Sequence, residues 1–74
     1  MDTACYIELW EWQGESYIIH VYRRTEEPER VSYWAETLFA PGDKIVSNGS
    51  SMDDVLHKHH AILPVALRAR TVVA

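Results

Sequence analysis

Cysteine is almost missing from this chain. Cys5 is the only one in 74 residues, which excludes an intramolecular disulfide. A lone cysteine suits a reducing, cytoplasmic compartment. Its neighbours Ala4, Tyr6 and Ile7 belong to a strand start, so an inert, half-buried thiol is expected rather than a reactive one. Glycine and proline are also scarce, three of each, and no stretch has the composition of a linker or a low-complexity tract. No apolar run approaches the length that spans a bilayer. The opening Met1-Asp2-Thr3 lacks the basic start of a secretory signal, so neither a membrane nor export is expected. A basic excess is lacking too. Seven Lys and Arg stand against eleven Asp and Glu, for a net charge of −4. Binding to nucleic acid draws most of its affinity from cations neutralising phosphates. This balance argues against it, although Arg23, Arg24, Arg30, Arg68 and Arg70 could still share one surface.

What is present fits one domain over residues 1–74. A chain this short buries only about 60% of the surface that it exposes when unfolded. Without a disulfide, a partner subunit is the natural source of extra stability.

The first local signal is a β-hairpin. Residues 5–12 and 16–23 are rich in β-branched and aromatic side chains, and Gly14 between them can supply the positive φ of a tight turn. Two registers compete. A two-residue loop at Gln13-Gly14 sets Trp10 opposite Tyr17, but Ile7 against His20 and Glu8 against Ile19. A three-residue loop through Glu15 pairs Ile7 with Val21, Leu9 with Ile19 and Glu8 with His20. It keeps like with like, and each such pair contributes roughly 0.2–1 kcal/mol. The three-residue loop is therefore expected. One face then carries Cys5, Ile7, Leu9, Tyr17, Ile19 and Val21. The other carries Tyr6, Glu8, Trp10, Trp12, Ile18, His20 and Tyr22.

Thr25 to Glu29, with Pro28, reads as the next turn. Residues 31–39 allow helix or strand, since Val31, Trp34 and Leu38 have helical spacing; their aromatic and β-branched content favours a third antiparallel strand. Ala40-Pro41-Gly42-Asp43 is a turn, residues 44–47 can form a short fourth strand, and Asn48-Gly49-Ser50 is loop. Ser51 and Asp54 have the spacing of a capping box. From there Met52, Val55, Leu56, His59, Ile62, Leu63, Ala66 and Leu67 trace one apolar helical stripe. Pro64 costs such a helix about 3 kcal/mol, so residues 51–69 form one kinked helix or break at Leu63. Residues 71–74 are either a frayed tail or a last short strand. The expected fold is α+β: a small antiparallel sheet of three strands, or four, with one C-terminal helix on one face.

Candidates for chemistry are thin. Asp53, His57 and His60 lie along one side of the helix at a spacing that could hold a divalent metal, but a structural zinc site wants four ligands and Lys58 adds a competing charge. A solvated polar face is the better expectation, with no metal and no cofactor. His59 falls on the apolar stripe and should be packed and hydrogen-bonded. Ser47, Ser50 and Ser51 show no nucleophile elbow, so catalysis is not the favoured reading.

Residues 43–67, centred on Ser50 to Leu56, faintly resemble the strand, acidic helix start and amphipathic helix of HicB-like antitoxin domains, which also open with a hairpin. Any capped amphipathic helix that follows a strand gives this pattern, and the DNA-binding segment that many such antitoxins carry is absent.

The aromatics say more. In the expected register Tyr6, Trp10, Trp12 and Tyr22 share a sheet face, with Trp34 beside them. One helix covers one face of a sheet, and the aliphatic face would take it. An aromatic face left uncovered marks an interaction surface. A homodimer, or docking of another protein, through Tyr6, Trp10, Trp12, Tyr22 and Trp34 is the functional expectation. The alternative is a small-molecule site or minor enzyme between sheet and helix, using His20, Glu8 or the His57/His60 pair.

Overall fold

The computed structural model describes residues 1–27 and 29–71. It contains a four-stranded antiparallel sheet in the order β1-β2-β3-β4 and one C-terminal helix. The strands are β1 (Asp2–Trp12), β2 (Glu15–Glu26), β3 (Arg30–Ala40) and β4 (Asp43–Gly49), and the helix is α1 (Met52–Thr71). The α+β architecture is the expected one, residues 31–39 are strand, and the fourth strand is formed. Residues 72–74, where a tail or a last strand was in question, lie outside the described residues.

The first hairpin takes the other register. Trp12 pairs with Glu15, Trp10 with Tyr17, Glu8 with Ile19 and Ile7 with His20, which leaves a two-residue loop. Gln13 and Gly14 have φ of 51° and 82°. Positive φ at both positions is the type I′ turn, whose twist matches that of the flanking strands. Because side chains alternate along a strand, a shift of one residue sends each β1 side chain from Tyr6 to Trp12 to the opposite face. Tyr6, Glu8, Trp10 and Trp12 therefore join Tyr17, Ile19 and Val21, while Ile7 and Leu9 go to the other side. A bulge between Ala4 and Tyr6 interrupts the ladder at Cys5. The thiol there donates weakly to the Val21 carbonyl at 3.5 Å and stands 3.9 Å from the Met52 sulfur. Cys5 is exposed rather than half-buried.

The second tight turn follows its sequence directly. Ala40 pairs with Asp43 across Pro41-Gly42, and Gly42 has φ of 79°. Proline first and a positive-φ glycine second make a type II turn. Such turns splay their strands, and the ladder shifts register between Leu38 and Ala40.

The helix begins as its sequence predicts, with one change of partner. The Asp54 N–H donates to Ser51 Oγ at 3.0 Å, but the Asp54 carboxylate accepts from the N–H of Ser50 rather than Ser51, also at 3.0 Å. Asp53 and Asp54 sit in the first turn and Arg68 and Arg70 in the last, the order that complements the helix dipole. The helix runs through Pro64 without ending. Leu63, Ala66 and Leu67 are all buried on the sheet around it, and that packing offsets the missing backbone bond.

α1 lies over β4 and β3. Ile19, Val21, Ala35, Val55 and Leu63 form the fully buried core, flanked by Trp10, Tyr33, Phe39, Met52 and Leu56. At the far end Arg70 clamps helix to sheet. Its guanidinium donates through Nε to Asp43 at 2.9 Å, a second nitrogen reaches the other carboxylate oxygen, and its carbon lies 4.4 Å from the centre of the Phe39 ring.

Candidate interaction face

Among the described residues, no element covers the side of the sheet away from α1. The β1–β2 register puts Ile7 beside His20 and Leu9 beside Ile18. The β2–β3 and β3–β4 registers extend the first row to Glu36 and Val46, and place Tyr22 beside Trp34 and Asn48. Apolar side chains stand open along these rows: Ile7 is 63% exposed, Leu9 64%, Leu38 58%, Ile18 48% and Val46 46%. Tyr22 and Trp34 stack at their centre, ring centroids 4.3 Å apart and planes 18° from parallel. His20 leans on Tyr22 at 6.4 Å. Near the two hairpin tips a concavity of about 490 Å³ opens between β2 and β3, with Ile18, His20, Leu38 and Phe39 in its walls.

The charges on this face are largely matched in place. Arg24 donates through Nε to the Asp2 carboxylate at 2.8 Å and through a terminal nitrogen at 3.1 Å. Lys44 reaches Glu36 at 3.0 Å, and Glu26 stands opposite Arg30 in the ladder. The Arg24 guanidinium holds the Asp2 carboxyl below its usual range. The Trp34 indole nitrogen is buried and, among the described residues, has no hydrogen-bond partner.

Of the five residues expected to form one aromatic face, the structure keeps only two together there. Tyr22 and Trp34 are on the open side. Tyr6, Trp10 and Trp12 are on the helix side, carried there by the one-residue difference in register. Trp10 packs against the core, 6.3 Å from the Tyr17 ring, which in turn meets Phe39 edge-on at 5.7 Å. Ile7, Leu9, Ile18, Leu38 and Val46 take their place. The signal for them was the two-residue Gln13-Gly14 loop, which sets Ile7 and Leu9 opposite the outward residues of β2.

The histidines divide into separate environments. His57 and Asp53 are exposed, while His60 turns to β1 and its Nε2 meets the Glu8 carboxylate at 2.9 Å. Asp53, His57 and His60 are thus not brought together. Among the described residues no three histidines, cysteines or carboxylates gather as a metal site. Of the residues named for a site between sheet and helix, His20 is on the open face, while Glu8 and His60 meet on the helix side.

His59 is fully buried, and both ring nitrogens are bonded. Nε2 lies 2.8 Å from Thr37 Oγ1 on β3, and Nδ1 lies 2.8 Å from Ser47 Oγ on β4. One ring nitrogen of a neutral imidazole donates and the other accepts. Thr37 is itself fully buried and its hydroxyl bonds the ring at 2.8 Å, so the ring is the acceptor at hand for its proton. Thr37 therefore donates to Nε2, and Nδ1–H donates to Ser47, whose own proton can turn outward. The reverse tautomer would strand the Thr37 proton in the core at a cost of about 1–3 kcal/mol. Burial lowers the His59 pKa below its ordinary value, and the neighbouring His60 lowers it further, while Glu8 acts to raise it.

No protein family, curated protein or solved structure matches this chain. In residues 43–67, which resemble HicB-like domains, the structure has a strand followed by a capped helix. Among the described residues no helix is long and apolar enough to cross a membrane.

Proposed function

We propose that this protein works by association, and that two copies join through the uncovered faces of their sheets. The observation that carries this reading is the exposed Ile7, Leu9, Ile18, Leu38 and Val46 on one open face, with the Tyr22–Trp34 stack in the adjoining row. Large apolar side chains gathered on an uncovered face mark a binding site on a small protein.

A second copy is favoured over other occupants by charge and by size. The chain carries a net charge of −4, which would set like molecules apart. On the open face, however, Asp2 is paired with Arg24 and Glu36 with Lys44, so the repulsion between two such faces is reduced, with Glu11 on the β1 edge strand the carboxylate still to be kept apart from its counterpart. The molecule measures 49 × 22 × 16 Å. A sheet face spanning the longer dimensions has room for the roughly 800 Å² that a standard interface takes from each partner. Sheets stacked this way lie about 10 Å apart with their side chains interdigitated. The concavity between β2 and β3 gives one such side chain a place to enter. The lone thiol of Cys5 fits a reducing, cytoplasmic setting for this module.

Light scattering after size exclusion, run over a dilution series, tests the reading. Twice the chain mass of 8.6 kDa, falling to the single mass on dilution, is the expected result. With the pair established, Leu9→Lys or Ile18→Lys should yield a folded monomer, since an ammonium group would be buried without a partner. A monomer at every concentration of the unaltered chain would end the self-association reading.

A further inference from the structure

We infer that His59 is an acid-operated latch that holds α1 on the sheet. The ring spans the junction between the helix and two strands, bonded at 2.8 Å to Thr37 of β3 through one nitrogen and at 2.8 Å to Ser47 of β4 through the other. It makes these bonds from a fully buried position, beside the core residues Val55 and Leu63 of its own helix. Both bonds suit the neutral ring. Protonating Nε2 reverses the first of them. Thr37 must then accept, and its own proton is turned away from the ring into the core.

The surroundings give the imidazolium little compensation. From α1 itself the nearest ionisable neighbour is His60, whose positive form repels. From β1 comes the Glu8 carboxylate, but it is already engaged with His60 at 2.9 Å. β3 and β4 present only the two hydroxyls, since Glu36 and Lys44 pair with each other on the opposite face. β2 presents the aliphatic Ile19 and Val21. Lys58, one residue before His59, is held outside by Asp54 at 3.2 Å and the Asn48 carbonyl at 3.3 Å. A protonated His59 therefore loses its place between the strands.

The sign follows from linkage. A histidine whose pKa is lower folded than unfolded binds its proton preferentially in the released state. Its contribution is complete above the ordinary value of 6.5 and is lost as pH falls from there toward the folded value. Over that window the helix-release constant rises by up to about tenfold per pH unit.

Thermal unfolding of the full chain, at one fixed concentration and between about pH 7.5 and about pH 5, reads the latch. The unaltered protein and His60→Gln should both lose melting temperature toward acid. His59→Gln, whose amide can still accept from Thr37 and donate to Ser47, should lose much less. Equal acid sensitivity in His59→Gln would overturn the proposal. Should that variant not fold, nitrogen-15 NMR of the native ring decides. A neutral ring protonated on Nδ1, persisting below the ordinary histidine titration, supports the latch. A ring protonated on Nε2, or one that titrates at the ordinary value, overturns it.

Discussion

Gly49 and Val55 meet backbone to backbone. A methyl group at position 49 would sit 2.7 Å from the Val55 nitrogen and 2.9 Å from its Cα. This contact brings the end of β4 directly under the first turn of α1, where Ser51 and Asp54 close the cap. Gly49→Ala should therefore destabilise the fold by about 1–3 kcal/mol, the usual range for overpacking. The obstruction is main chain and cannot swing aside. Urea unfolding monitored by circular dichroism would read the loss as a lower midpoint. An unchanged midpoint would mean that the cap and strand can part at no cost.

Gln13 holds a backbone conformation that suits it poorly. Its φ of 51° is left-handed, where a Cβ costs about 1–2 kcal/mol, and where asparagine is tolerated best among residues with side chains. Gln13→Asn would complete the Asn-Gly pair that type I′ hairpins prefer. It should stabilise the protein by a few tenths to about 1 kcal/mol, seen as a higher urea midpoint with an unchanged slope. A lower midpoint would show that the Gln13 side chain supplies something the turn geometry does not reveal.

The same turn explains how much of this fold could be read beforehand. Gly14, Pro41-Gly42 and Ser51 with Asp54 each mark a boundary by their own chemistry, and the structure places turns or a cap at each. The hairpin register depends on a difference of one residue. Cross-strand pairing preferences of roughly 0.2–1 kcal/mol are too small to settle it when both arrangements offer apolar contacts. Contacts distant in sequence settle it instead. Trp10 fills space beside the core, and Glu8 reaches His60 on a helix 52 residues later. Neither contact is visible from the hairpin alone. Tyr22 and Trp34 share a face in either register because they lie on β2 and β3, away from the strand that shifts. Tyr6, Trp10 and Trp12 change sides with β1, and Ile7 and Leu9 take the open face for the same reason. His59 was recognisable as a buried, bonded histidine from its place on the helical stripe. Its two hydroxyl partners come from separate strands, and no spacing rule connects them.

The Asp43–Arg70 clamp should open in strong acid. Its hydrogen-bonded Arg70 guanidinium holds the Asp43 carboxyl below the ordinary value of 3.8. A carboxylate of this kind contributes stability above its unfolded value and loses it as pH falls through the lower, folded value. The contribution should therefore persist at pH 5, where His59 is already being challenged, and disappear only well below about pH 4. Hydrogen exchange along the last turn of α1 would report the opening. Asp43→Asn should bring the same loss of protection at neutral pH. If the last turn stays equally protected in that variant, the cation–ring contact with Phe39 alone anchors the helix end.

The three tryptophans divide between the two sides of the sheet, and that division separates association from folding. Trp34 lies on the open face beside Tyr22, while Trp10 and Trp12 lie on the helix side. Association through the open face should shield Trp34 and leave the other two as they are in the single chain. With Trp10 and Trp12 both replaced by Phe, the remaining fluorescence should become harder to quench with acrylamide as concentration rises. The converse variant, Trp34→Phe, should show quenching that does not vary with concentration. Adding Leu9→Lys to the first variant should abolish its concentration dependence, because the dimer dissociation constant should rise at least about tenfold, or 1.4 kcal/mol. The reverse pattern, with concentration-dependent shielding only in Trp34→Phe, would move the interface to the helix side. The overhanging Trp10–Tyr17–Phe39 cluster would then be the contact, and the open apolar face would need another occupant.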